Sequence, residues 1–348
     1  DRRSVSHGRR SPVLIVLSPY HLTTREPVAL ASLLLATEVI TLLPGRLGGG
    51  SRTQMREAKS AAERTPQFRE LVQSWAWTEP LWRAGIVSGD FEGADAIEDV
   101  RTAAHAVIRD ERFAVLRPLM REDVFTDETH YLRAIASDLM KAGPDPAVSL
   151  PVAAGLDRFA GRHHLFAARS GASSVAQQAE AKLGRMIGSI VVPVFVQAAA
   201  DRILHAREVL QDELDELRAA LEDLAESVDA GEDPAEMMIA VTAAATAYAA
   251  AFEARRSEIF SLSDEDDVRA VEGSVVVSVM RLPGDAVMQS SLSAMALLGG
   301  RGQELGAAAA GGPTDAESGA IVPMHAEPVT ALIIRAMGAR PTQRGRRR

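Results

Sequence analysis

The feature that most constrains this chain is a heptad repeat. Ile203, Leu210, Leu214, Leu217, Leu221, Leu224 and Val228 fall on a seven-residue period, alternating steps of three and four from Leu210 onward, flanked by Asp212, Glu213, Asp215, Glu216, Glu222, Asp223 and Glu226. An apolar seam with acidic flanks is the pattern of a helix that packs along another helix. Gly231-Glu232 turns the chain, and Asp233-Pro234-Ala235-Glu236 offers an N-cap, a proline in the first turn and a carboxylate three residues after the cap. Met238, Val241, Ala245, Tyr248, Phe252 and Ile259 then repeat at helical spacing. The pattern predicts a long antiparallel, coiled-coil-like helical hairpin over 201–262. At about 1.5 Å per residue each arm reaches roughly 35–40 Å, so the tip near Gly231 is expected to project or to lie along a partner.

Composition supports a helical reading of the rest. The chain has 348 residues, and only 3 Trp, 3 Tyr and 9 Phe stand against abundant alanine, so its core rests on small and aliphatic side chains that helices pack readily. There is no cysteine, which excludes disulfides, thiolate zinc sites, cysteine-ligated iron–sulfur clusters and a cysteine nucleophile. Two apolar runs, Ile187 to Ala200 with Gly188 and Pro193 inside it, and Met237 to Phe252 between Glu236 and Glu253, fall short of the roughly 20 residues a spanning helix needs. The basic stretch Asp1 to Ser11 precedes only a short apolar run, without a small-residue cleavage pattern. These features predict a soluble, cytoplasmic protein with no membrane partner.

Charge is unevenly placed. The whole chain nets −9, while the first ten residues carry four arginines and the last nine carry five, so the body between is acidic. An acidic body repels phosphate backbones and argues against nucleic acid as a partner, except through the tails Arg2, Arg3, Arg9, Arg10 and Arg344, Arg346, Arg347, Arg348. The alternative for 1–10 and 339–348 is solvated, disordered ends.

Along the chain, Val13 to Leu17 reads as a buried strand, Tyr20 to Pro27 as a polar loop, Val28 to Ala36 as an apolar helix and Glu38 to Leu43 as a second strand. That order is a compact βαβ unit. Residues 51–200 read as a helical layer with one strand at 164–168, then a turn at Ser170 to Ser174 and a helix from Val175. Ser274 to Met280 and Val329 to Ile334 are strand-like, Asp285 caps a helix through Leu298, and 299–319 is a Gly/Ala-rich flexible loop. The expectation is a helix-dominated mixed α/β (α+β) fold. In it a small sheet is built from both chain ends, 11–50 plus 270–338, around a large helical insertion that contains the hairpin.

Named catalytic motifs are absent: G-x-S-x-G, H-E-x-x-H, an EF-hand loop and G-x-G-x-x-G do not occur, and nothing in the sequence calls for a cofactor or a metal. Gly45-Arg-Leu-Gly-Gly-Gly-Ser51 has the glycine spacing of a phosphate loop, but Ser51 stands where its lysine belongs. The best candidate site is Ser18-Pro-Tyr-His-Leu-Thr-Thr-Arg-Glu26, just past a buried strand, where open α/β sheets place ligands. In it Thr23 or Thr24 would cap the next helix, and Tyr20, Arg25 and the helix start would receive a phosphate or carboxylate. His21 would carry a proton, with Glu26 beside it. A bland alternative is that these groups only cap and hydrogen-bond.

A second cluster, Arg162, His163, His164, Arg169, Ser170, Ser173 and Ser174, has the same grammar, and shares the rim if its strand lies beside the first. Asp201 and His205 have metal-compatible spacing but equally suit a salt bridge, His105 and His130 are solitary, and Trp75, Trp77 and Trp82 read as a core anchor or a pocket wall. Two functions compete. One is binding of an anionic small molecule at the Tyr20 to Glu26 rim, with hydrolase or transferase chemistry at His21; the other is an interaction or scaffold protein that forms a homo-oligomer or docks a protein partner through 203–259.

Overall fold

The computed structural model describes residues 12–42, 76–119, 134, 138, 146–171, 175–261, 269–298 and 327–337. Both arginine tails, the glycine-rich 45–51 segment, Trp75, His130, Ser173, Ser174 and the 299–319 loop lie outside them.

The fold is helix-dominated and mixed α/β, built on one sheet of seven strands. These are β1 (Leu14–Leu17), β2 (Glu38–Ile40), β3 (Val87–Ser88), β4 (Phe166–Ser170), β5 (Arg185–Gln197), β6 (Val271–Leu282) and β7 (Val329–Met337), in the spatial order β3-β2-β1-β4-β7-β6-β5. The first five in that order run parallel, and β6 and β5 complete the sheet antiparallel. β1 is apolar at every position and buried throughout, as a central parallel strand covered on both faces must be. The expected sheet drew on the chain ends, with one strand read at 164–168 inside the helical layer; β4 falls at that strand and joins the sheet beside β1, and the sheet also takes β3 and β5 from the middle. β5 shows why the middle misleads. Its Ile190, Val191, Val192, Val194 and Phe195 are strand formers, but Gly188 and Pro193 interrupt the run. Pro193 is tolerated because β5 is the outermost strand and needs no donor on its free side.

Among the described residues the helices are α1 (Pro19–Thr23), α2 (Pro27–Leu35), α3 (Glu79–Arg83), α4 (Ile97–Arg109), α5 (Pro146–Arg162), α6 (Val175–Leu183), α7 (Ala200–Val209), α8 (Gln211–Asp229), α9 (Ala235–Ala254), α10 (Arg256–Ile259) and α11 (Ala286–Leu298). The chain steps from β1 to β2 to β3 in one direction, then crosses back to lay β4 on the other side of β1. Right-handed crossovers put the connecting helices of these two legs on opposite faces. Accordingly α2 packs on β4, β5, β7 and α7, whereas α5 packs on β1, β4, β7, α4 and α11. α2 is buried from Val28 through Leu35, which explains its all-apolar sequence. Where α5 crosses α4, Gly155 is required: a Cβ there would stand 2.3 Å from Val100 Cα.

The heptad region departs from expectation in two ways. Its first arm is broken at Leu210 into α7 and α8, with Ile203 and Leu210 fully buried. Its tip does not project. Asp229, at the end of α8, is ion-paired with Arg281 (2.6 Å) and with His164 Nδ1 (3.1 Å), which ties the turn to the end of β6 and the approach to β4, and through the Arg281–Thr330 hydrogen bond to the start of β7. α8 and α9 lie against each other, and α9 lies along β5, where Tyr248 donates to Pro193 O (3.0 Å). α9 also corrects the reading of 237–252 as too short: it spans 20 residues and has the length and composition to cross a membrane, with Val241, Ala245, Tyr248 and Phe252 buried against the rest of the protein.

Candidate functional site

β1 and β4 are parallel neighbours, in register at Leu17 and Ala168, so the turns that follow them open on one edge of the sheet. The direction in which successive strands are added to the sheet reverses between these two, and in open α/β sheets the crevice outside such a reversal is where ligands sit.

The turn after β1 is more ordered than a polar loop. Pro19, with its fixed φ, starts the one-turn helix α1, and buried Leu22 anchors it. Arg25 then adopts a left-handed φ of 50° and reverses the chain into α2. His21 Nδ1 lies 2.7 Å from Glu26 Oε2. Thr24 Oγ1 lies 3.1 Å from both Tyr20 O and Glu26 Oε1, and its single proton serves one at a time. The hydrogen bond with His21 holds the Glu26 carboxyl below its usual range against the opposing cost of burial. Tyr20 donates its hydroxyl to the buried carboxylate of Asp138. Trp77 donates Nε1 to Leu22 O (3.2 Å) and stacks under the Arg25 guanidinium, 4.8 Å from ring centre to Cζ. One tryptophan of the cluster therefore walls this turn, while Trp82 is fully buried and bonds Thr78 Oγ1.

The expected caps are not formed. Thr23 Oγ1 returns to Pro19 O (2.9 Å), and the N-cap of α2 is Glu26, with no side-chain cap bond. Pro27 has no N–H and Ala29 and Leu30 bond Glu26 O, so little of that helix start is left for an anion.

The second cluster is divided between opposite edges. His163 and His164 lie not on a strand but in the turn from α5 into β4, at the edge away from His21. His163 packs edge-on against Phe91 and at a tilt against Phe159, and burial lowers its pKa. Arg169 and Ser170 end β4 on the same edge as His21. Arg169 is withdrawn into the protein, bound to Asp157 of α5 and with Nη1 2.5 Å from Glu180 Oε1 of α6. Burial pushes Glu180 up to about 7 and raises Asp157 also. Ser170 is half-buried. Gly171, next in line, passes so close over β7 that a Cβ would meet Arg335 Cβ at 2.5 Å.

Sequence reading missed Asp138, Asp157 and Glu180. The last two had a signal in Arg169, an ionised residue that follows the apolar run Phe166 to Ala168 within a strand, which needs buried carboxylates. Asp201 and His205 form no metal pair: His205 Nε2 donates to Glu258 O (3.1 Å), and among the described residues no three metal-ligating side chains converge. Comparison with known protein families, with curated proteins and with solved structures finds no match.

Proposed function

We propose that the edge outside β1 and β4 binds a small molecule bearing a phosphate or carboxylate, and that His21 gives or takes a proton there in a hydrolase or group-transfer reaction. The observation that carries this reading is the His21–Glu26 pair at this edge. A carboxylate on Nδ1 fixes the ring and its tautomer and leaves Nε2 as the working nitrogen. Arg25, held over Trp77, supplies the positive charge for an acidic group. Arg169 is set aside from that role because two carboxylates already occupy it. Tyr20, Thr23, Thr24 and Ser170 remain candidates for lining the same edge. A cytoplasmic setting belongs to the proposal, supported by the cysteine-free sequence.

The test is ligand-induced stabilisation measured by thermal unfolding, with inorganic phosphate, nucleoside phosphates and small dicarboxylates as probes. A bound probe at about 100 times its Kd adds about 2.7 kcal/mol. The expected result is a shift in the wild type that is lost in the double variant His21→Ala, Arg25→Ala. A shift that survives both substitutions places the site elsewhere.

A second reading, a protein that works by docking, is favoured by one observation. α9 turns an uncharged surface outward between Glu236 and Glu253, with Ile239 71% exposed.

A further inference from the structure

We propose that Asp157, Arg169 and Glu180 form a proton-operated latch: the trio keeps one extra proton while α6 is docked against α11 and the end of β4, and giving it up loosens that helix.

The geometry sets two buried carboxylates around one buried guanidinium. Asp157 and Glu180 are 4% and 7% exposed, and Arg169 carries both of their contacts. With both acids ionised the trio holds a surplus negative charge in a low-dielectric interior, a state that costs far more there than in water. Two further atoms are unsatisfied. Arg169 Nε has no acceptor among the described residues, and Glu180 Oε1, although near Nη1, has no aligned donor. One proton shared by the two carboxyls removes the surplus charge and makes an O–H donor available.

No other described charge relieves the trio. The charged groups that act on Glu180 are Arg169 from β4 and Asp157 from α5. α11, also packed on α6, has no titratable residue from Ala286 through Leu298. Lys182, on α6 itself, is exposed. Arg158 and Arg162, on α5, are engaged with Asp99.

Glu180 is the member that moves. Asp157 belongs to the long helix α5 and Arg169 to a central strand, whereas α6 is a nine-residue helix held largely by α11. The sign follows from the raised pKa. A docked α6 keeps its proton up to about 7, whereas an opened one releases it near the ordinary carboxylate value, about 4.3. Docking is therefore strongest in acid, weakens as pH rises between these two values and levels off above the higher one.

The test is amide hydrogen exchange of residues 175–183 in the full chain, corrected for the intrinsic pH dependence of exchange. Protection is expected to fall by up to about tenfold per pH unit between about pH 5 and pH 7. In Glu180→Gln, a neutral copy of the protonated acid, it should stay flat across that range. Difference infrared spectroscopy of the wild type gives a second readout that needs no variant: a protonated-carboxyl stretch persisting to neutral pH. Flat protection in the wild type, or carboxyls fully ionised well below neutrality, overturns the proposal.

Discussion

At the scale of residues, the side chains that decide most are two arginines that close the end of α2. A helix leaves its last four carbonyls without intrahelical donors, and at α2 they are buried. Arg207 reaches Leu33 O (2.7 Å), Ala36 O (2.5 Å) and Thr37 O (3.0 Å), and Arg218 reaches Leu35 O (2.8 Å) and Leu34 O (3.3 Å). Both positive groups also face the negative end of the helix dipole. Burial beside Arg218 presses Arg207 down to about 9. Arg207→Met keeps the length of the side chain and removes every donor, so the carbonyls it served are buried unpaired. The expected loss is about 2–3 kcal/mol in urea unfolding, with an unchanged slope. A loss below about 0.5 kcal/mol would show that water replaces the guanidinium. None of this was legible in the sequence, because the partners are backbone atoms 170 or more positions away. The His21–Glu26 pair was legible in part: both residues stand in one nine-residue polar run, but only the left-handed turn at Arg25 shows that the carboxylate comes back onto the imidazole.

Elements were readable where their pattern depends on near neighbours in sequence. β1, α2, β6 and β7 announce themselves by continuous or alternating apolar residues between turn signals, and all four stand within a few residues of where the pattern puts them. β3 is two residues long and carries no period at all. The heptad seam misleads at its start: Ile203, Ala206 and Leu210 are all buried and continue the seam, yet the helix breaks at Leu210. The break lets α7 lie on α2 and α3 while α8 lies on α9. The outer face of α9 belongs to this scale too. Its inner face is used up by Val241, Ala245, Tyr248 and Phe252, which leaves Ile239 and a run of alanines facing out. If that face is a self-association surface, the wild-type chain sediments as a dimer at high micromolar concentration and Ile239→Lys as a monomer, since an unpaired charge cannot be buried in an apolar contact. A wild type that is monomeric at that concentration removes this reading.

For the whole molecule, the consequence is that the α8–α9 pair is part of the body and not an arm attached to it. α8 supplies Arg218 to the end of α2, and Asp229 fastens the far end of α8 to Arg281 and His164. α9 lies along the outermost strand and satisfies Pro193 O through Tyr248. Cutting out 211–254 and rejoining the flanks would take all of these away together and bare one side of a thirteen-residue edge strand, which is the kind of surface that pairs with other chains. The sequence pattern suggests the opposite, a detachable hairpin on an independent head, because a heptad shows that a helix has a partner and does not show how many other elements share it. The shortened chain is expected to lose its cooperative urea transition and to aggregate at concentrations where the full chain remains dispersed. Circular dichroism and light scattering of the two proteins side by side check this. A shortened chain that unfolds in one sharp transition at the parent's midpoint would return the pair to the status of an appendage, and the candidate site at His21 could then be studied on the head alone.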